Sequence, residues 1–324
     1  MKPFDKIVRS AVVALAAAMH LPAAAQDAYP SRPVTLIVPH PAGGYTDSVG
    51  RLIADGLSKR WHSPVIVENR AGAGGSIGTA YAARRDPDGY TLFLSSTGTD
   101  VINRLLYKNL EVDPAVAFEP VILGVKTPNT IVVNNDFPAK SISEMISLAK
   151  ANPGKFNMGN PGTGTNSQFT GALFLAMNGL EVTEIPYKGS AAVLTDVVNG
   201  NLQIAVDNVM FWAPQVKSGS ARALAVTGLK RSPLLPDVPT LDESGMPGFE
   251  ATTFTGISVP SGTPAALVEK INAAIQEVLA SNEFRSKMGV GEIVGGPPRD
   301  FKEYLAAERA KWGKVAASLD IKMQ

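Results

Sequence analysis

The chain of 324 residues contains no cysteine. That excludes a disulfide framework, a zinc–thiolate site and a cysteine nucleophile. Histidine is nearly as scarce, with three in all, so a histidine-built metal site has little to draw on. Charge of one sign is lacking too: 30 Lys and Arg stand against 29 Asp and Glu, a net of +1. Such a balance offers no footprint for nucleic acid or for an anionic membrane surface. No apolar run reaches the ~20 residues that a bilayer span requires. Present in excess are glycine and proline, 30 and 24 residues, beside 45% apolar residues. The length and composition imply a turn-rich globular chain long enough for two domains.

The first 25 residues read as an address. Lys2, Lys6 and Arg9 form a positive segment, Ala11–Met19 is uncharged and apolar, and Ala23-Ala24-Ala25 precedes Gln26. This is the pattern of an exported leader cleaved after Ala25, which places the mature chain in the periplasm. With no cysteine at the junction there is no lipid anchor. Cleavage leaves His40 and His62 as the mature histidines.

Beyond the leader, short apolar runs alternate with helical periodicity. Val34–Val38, Val65–Val67, Tyr90–Leu94, Val121–Val125, Ile131–Val133, Gln203–Val206, Ala223–Val226 and Gly256–Val259 read as strands. Most are continuously apolar, as strands covered on both faces are. Between them, Ser141 and Glu144 form a capping box for a helix over Ser141–Lys150. Thr263 caps another, with Pro264 at its first position. Leu267, Ile271, Ile275 and Val278 line one face of that helix, and Phe301, Tyr304, Leu305 and Trp312 line a final one. Trp61 and Trp212 fall on similar stripes and are expected in the core. Strand–helix alternation of this kind is an α/β fold. The extended segments Glu119–Thr130 and Gly248–Pro260 are the places where the chain would cross between two domains.

Several enzyme signatures are eliminated. Gly74-Gly75-Ser76-Ile77-Gly78 matches the G-x-S-x-G nucleophile elbow, but that fold needs its histidine downstream and both mature histidines lie upstream. An exported serine hydrolase using Ser76 is the enzyme alternative that survives. The dinucleotide fingerprint fails at Ile77, where glycine is required. There is no phosphate loop and no H-E-x-x-H. No cofactor and no metal site is implied.

Three glycine-rich loops remain, each between a strand and a helix: Pro41–Asp47, Ala71–Ser76 and Asn160–Ser167. A helix N-terminus offers unpaired N–H groups and about half a positive charge. Glycine lets a ligand approach that backbone closely, and such a loop holds a carboxylate without Lys or Arg. Tight turns of an ordinary α/β fold give the same pattern, so a site requires two loops, 41–47 and 160–167, to face one cleft. Asp47 reads as a helix-start carboxylate that bonds N–H groups. Glu68 and Arg70 read as a pair. Thr163, Thr165, Asn166 and Asp207 either cap helices or contact ligand.

Ordered motifs along the mature chain resemble the Bug-type periplasmic solute receptors, the binding component of tripartite tricarboxylate transporters. They are Pro39 with Gly43-Gly44 and Asp47; Val67-Glu68-Asn69-Arg70 with Gly72-Ala73-Gly74-Gly75; and Pro87-Asp88-Gly89-Tyr90-Thr91-Leu92. Later come Ala151–Lys155, Pro186-Tyr187-Lys188-Gly189, Leu224–Thr227 and Pro236–Thr240.

The resemblance implies a two-domain periplasmic binding protein, a Venus-flytrap with a cleft between two sheet-centred domains. Domain one would take residues 27–125 and 253–324, and domain two residues 126–252. It also implies a non-enzymatic, monomeric receptor that delivers a small di-, tri- or aromatic carboxylate to inner-membrane permease subunits. A sensory receptor for a membrane signalling partner would share the same sequence features. The ligand's carboxylate would be held by backbone and hydroxyl groups of His40, Gly43, Gly44 and Tyr45 and of Gly162, Thr163, Gly164, Thr165 and Asn166. Ser96, Thr97 and Gly98 would add to the wall of the first domain, and Asp207 to that of the second. Two departures stand out. The family loop usually has an aromatic where His40 stands and a small residue where Tyr45 stands, which adds stacking surface suited to an aromatic acid. Members commonly carry His where this chain has Gln168.

Overall fold

The run Val34–Val38 is almost wholly buried, as an apolar strand covered on both faces should be. It is strand β1 of a computed structural model that describes residues 29–107, 109–288 and 292–318. The leader expected over residues 1–25 lies outside the described residues. After β1 come α1 (Tyr45–Trp61), β2 (Val65–Asn69), α2 (Ser76–Ala83), β3 (Thr91–Ser96) and the long β4 (Phe118–Val133). The middle of the chain forms α3 (Ile142–Ala151), β5 (Asn157–Asn160), α4 (Asn166–Asn178), β6 (Thr183–Pro186), α5 (Ser190–Val198) and β7 (Ile204–Asn208). It continues through α6 (Val209–Lys217), β8 (Arg222–Val226) and β9 (Thr252–Pro260). The last elements are α7 (Ala265–Ala280), α8 (Asn282–Met288), β10 (Glu292–Ile293) and α9 (Pro298–Ser318).

Among the described residues the strands join one sheet in the order β2-β1-β3-β9-β4-β7-β5-β6, with β8 and β10 on β4. Two lobes with the same plan are visible in it. In the first, β2, β1 and β3 run parallel and β9 lies antiparallel to β3. In the second, β6, β5 and β7 run parallel and the end of β4 lies antiparallel to β7. Strand β4 belongs to both. Residues 118–128 pair with β9, and residues 129–133 pair with β7.

The runs Val121–Val125 and Ile131–Val133, which the sequence separates, are thus one strand. Polar residues and Pro128 interrupt the apolar pattern, yet the backbone stays extended because each polar group is bonded. Asn129 Nδ2 donates to Asn166 Oδ1 and Thr170 Oγ1, and Thr130 Oγ1 donates to the Ala225 carbonyl. Pro128, which has no N–H to give, stands opposite Thr252, where β9 begins.

Helix starts largely follow their signals. Ser141 Oγ accepts the Glu144 N–H, and Glu144 returns a bond to the N–H of Lys140, one residue before the capping-box position. At α7 the expectation is corrected. Pro264 is the N-cap and the helix begins at Ala265, because the Thr263 hydroxyl donates to the Pro260 carbonyl and closes the preceding turn. Trp212 and Trp312 are fully buried; Trp61, at the end of α1, is only half-buried.

One apolar cluster runs through both lobes. Leu123, Phe254, Phe301 and Leu305 from the first join Ile131, Phe169, Phe174 and Val206 from the second. Trp312 of α9 stands edge-on to Phe169 of α4, with ring centroids 6.3 Å apart, and its Nε1 donates to Glu308. Trp312→Ala should therefore cost about 3–5 kcal/mol of stability, read as a lowered urea midpoint. A change below about 1 kcal/mol would show that this ring contact contributes little.

Candidate functional site

Strands β1, β3, β5 and β7 all point their carboxyl ends at one cavity, of about 710 Å³ including its mouth. That is where open parallel sheets bind ligands. The segment after β1 contributes His40–Ala42 and Gly44–Thr46; the end of β3 and the turn after it contribute Ser96 and Gly98. From the second lobe come Pro161, Thr165–Ser167, Lys188–Ala191 and Asp207-Asn208, and Thr253 of β9 completes the wall.

Four helices start at this cavity. The first residues of α1, α4 and α5 line it, as does Asn208, the N-cap of α6. Each N-terminus carries about half a positive charge and unpaired N–H groups. Among the described residues Lys188 is the one Lys or Arg in the lining. The cavity is therefore built to stabilise an anion mainly through backbone dipoles.

The first loop is braced from behind. Asp47 is buried, and its carboxylate accepts the Gly43 N–H at 2.9 Å, Asn69 Nδ2 at 2.8 Å and Arg51 Nε at 2.9 Å. Burial works to raise the Asp47 pKa, but these bonds outweigh it and hold the group below its ordinary value. Asp47 thus has the bracing role read from its position at a helix start. Glu68 and Arg70 are paired as expected. His40 Nε2 lies 3.2 Å from Ser96 Oγ, which is 3.1 Å from Thr99 Oγ1; that hydroxyl donates to Asp100 at 2.8 Å. Burial drives the His40 pKa down to about 4, so the ring is neutral at physiological pH.

The second loop is self-bonded. The Gly162 N–H donates to Asn160 Oδ1, Thr165 Oγ1 to the Gly162 carbonyl, and the Gly164 N–H to Gln168 Oε1 at 2.8 Å. Gln168 therefore fixes the loop that opens α4. Its glycines meet the first lobe directly. A Cβ added at Gly98 would sit 2.7 Å from the Gly164 carbonyl oxygen, and one at Gly74 would sit 2.8 Å from that of Thr163. The rim contact between the lobes needs the absence of side chains at both places.

The expected residues separate into two groups. His40, Gly44, Tyr45, Ser96, Gly98, Thr165, Asn166 and Asp207 come together at the cavity. Gly43, with φ +82°, shapes the loop behind it. Thr97 is buried and accepts the Phe254 N–H, tying down β9. Gly162, Thr163 and Gly164 form the bonded rim. Ser167, the last residue of the expected 160–167 loop, also lines the cavity, whereas sequence reasoning missed Ser190, Asn208 and Thr253. For Ser190 the signal was available, since Gly189-Ser190 opens an apolar helix as the three singled-out loops do. Ser76 stands outside this cavity, accepting Asn103 Nδ2 at 3.2 Å beside a separate pocket with Tyr107 and Leu110. His40 is bonded to Ser96 instead.

Asp207 is the one acid in the wall among the described residues. Its Oδ1 accepts the Asn208 N–H at 2.7 Å and Ser167 Oγ at 3.4 Å, while Oδ2 is buried without a partner. Burial raises its pKa to about 6.

Comparison with known proteins places these features in a family. The family model described as the tripartite tricarboxylate transporter family receptor matches residues 49–321. Protein BugT of Bordetella pertussis is 33% identical over 307 residues, spanning 92% of this chain and 92% of that protein. The structure of R. palustris Rpa4515 with adipate superposes with a TM-score of 0.88 at 36% identity, covering 91% of this chain and all of that one. MatC from Rhodopseudomonas palustris with bound malate gives 0.83 at 31% identity, covering 89% and 100%. These neighbours share the two-domain architecture of periplasmic binding proteins.

The two perturbed groups of the wall predict opposing pH effects. His40 has a folded pKa of about 4 against an ordinary 6.5, so it removes stability as pH falls between those values. Asp207 has a folded pKa of about 6 against 3.8, so its contribution is present at low pH and lost as pH rises through about 6. Urea midpoints compared between neutral pH and about pH 5 should fall less in His40→Gln than in the wild type, and more in Asp207→Asn.

Proposed function

The chain belongs to the tripartite tricarboxylate transporter receptor family, and we propose that it captures a small organic carboxylate outside the cytoplasm and delivers it to a membrane permease. The convergence of four helix N-termini on a cavity with a single lysine carries this reading. Adipate in Rpa4515 and malate in MatC support the same ligand class. The leader over residues 1–25 would export the chain to the periplasm, where it acts as a monomer.

In this reading residues 27–125 with 253–324 would be one closing domain and residues 126–252 the other, with β4 and β9 as the hinge. Ligand touches both and so favours the closed form by its differential affinity. Closure ends when the Gly98 and Gly74 backbones meet the 162–165 loop. Binding without chemistry is favoured because Ser76, the residue with a nucleophile signature, stands outside the cavity and is held by Asn103.

A thermal-shift screen of di-, tri- and aromatic carboxylates tests the function. At ~100 times its Kd a ligand adds about 2.7 kcal/mol, a clear rise in Tm. No shift with any carboxylate, and none co-purifying, would overturn the proposal. Ester turnover abolished by Ser76→Ala would replace it with a hydrolase.

Gly98→Ala tests closure. Its φ lies outside the left-handed region, so the added methyl wedges the rim without straining its own backbone. Affinity for every ligand should fall about tenfold or more, ligand-induced compaction in solution scattering should shrink, and the Tm of the free protein should hold. Unchanged compaction and affinity would remove the rim contact from the mechanism.

A further inference from the structure

Tyr45 is buried, with 7% of its surface exposed, yet it is one of the residues that line the cavity. It opens α1 directly after the N-cap Gly44, so its backbone is fixed by the Asp47-braced loop. Its hydroxyl points away from solvent, is buried without a hydrogen-bond partner, and has the hydroxyls of Thr127 and Thr255 as its polar neighbours. Both threonines are fully buried. Thr127 of β4 stands opposite Thr253 of β9, and Thr255 is two residues further along β9, so the three side chains share one face of the two-strand ribbon. Thr253 alone of the three reaches the cavity.

Tyr45 thus lies between the ligand space and the other two hydroxyls. Thr127 Oγ1 accepts Asn208 Nδ2 at 2.5 Å, whereas Thr255 Oγ1 has no partner. The buried hydroxyls of Tyr45 and Thr255 are therefore neighbours behind the wall, with no well-aligned hydrogen bond between them. Unmet buried donors are costly, and a polar group reaching them would be bound favourably.

We propose that Tyr45 determines which carboxylates this receptor accepts, by ending the cavity with its ring and limiting the length of the bound acid. The inference rests on the carboxylate reading above. Removing the ring extends the cavity by roughly the volume of a phenol and uncovers Thr127 and Thr255 as partners for a distal polar group. Longer diacids then gain both space and hydrogen bonds. The phenol stays protonated throughout the physiological range, since burial pushes its pKa up to about 12, so the wall it presents does not change with pH.

The experiment is isothermal titration of the mature protein with succinate, adipate and suberate. In Tyr45→Ala the ratio of suberate to succinate affinity should rise at least about tenfold over the wild type, the scale on which a pocket discriminates added methylenes. Tyr45→Phe keeps the ring and should keep the wild-type ratio. Tyr45→Leu, a smaller truncation that retains apolar bulk, should move the ratio in the same direction as Ala and serves if the alanine variant does not fold. An unchanged ratio in Ala or Leu, with wild-type circular dichroism, overturns the inference while leaving carboxylate capture intact. A wild type that binds none of the three acids, and shifts with no other carboxylate, removes the functional reading and this inference with it.

Discussion

The architecture depends on one strand serving two sheets. Strand β4 is long enough for its first part to pair with β9 and its last part with β7, so neither lobe has a complete sheet without it. Where it passes from one to the other it carries polar residues in a buried setting, which is tolerable only when each is bonded. Asn129 meets this through Asn166 and Thr170, and Thr227 Oγ1 binds its backbone N–H. The same network reaches α4, whose start forms part of the cavity wall. The shared strand, the core and the cavity wall are therefore not independent parts.

The anion recognition proposed for this cavity rests on backbone orientation. A chain with a net charge of +1 has no large field to attract a carboxylate, but four helix starts aimed at one volume supply a local one. Among the described residues, Asp207 is the one acid lining that volume. His40 stays neutral because burial disfavours its charged form. On the proposed reading, the wall discriminates by hydroxyl positions and by shape more than by net charge.

Much of this was legible in the sequence. Strand–helix alternation gives the α/β plan, and the glycine-rich loops after the Val34–Val38 and Asn157–Asn160 strands mark two of the cavity's walls, because glycine followed by a small polar residue is a local signal of a helix start. Asp47 was readable for the same reason. The continuity of β4 was not, since Pro128 and its polar neighbours look like a break until their distant partners are known. Nor was the division between wall and rim in the second loop: Thr165 faces the cavity and Gly164 faces Gly98, a distinction set by the other lobe. Tyr45 gives no local sign of burial, because its environment is built by threonines more than 80 and 200 residues away in the chain.

The glycine rim has one consequence for how such a receptor is read by others. In the proposed closure, movement stops on backbone atoms of Gly98, Gly74 and the 162–165 loop, not on the cargo. The outer surface of the shut form is then nearly the same for any acid that permits shutting. A membrane partner that recognised that surface would register occupancy without identity, and all discrimination among cargoes would be completed inside the receptor before the encounter.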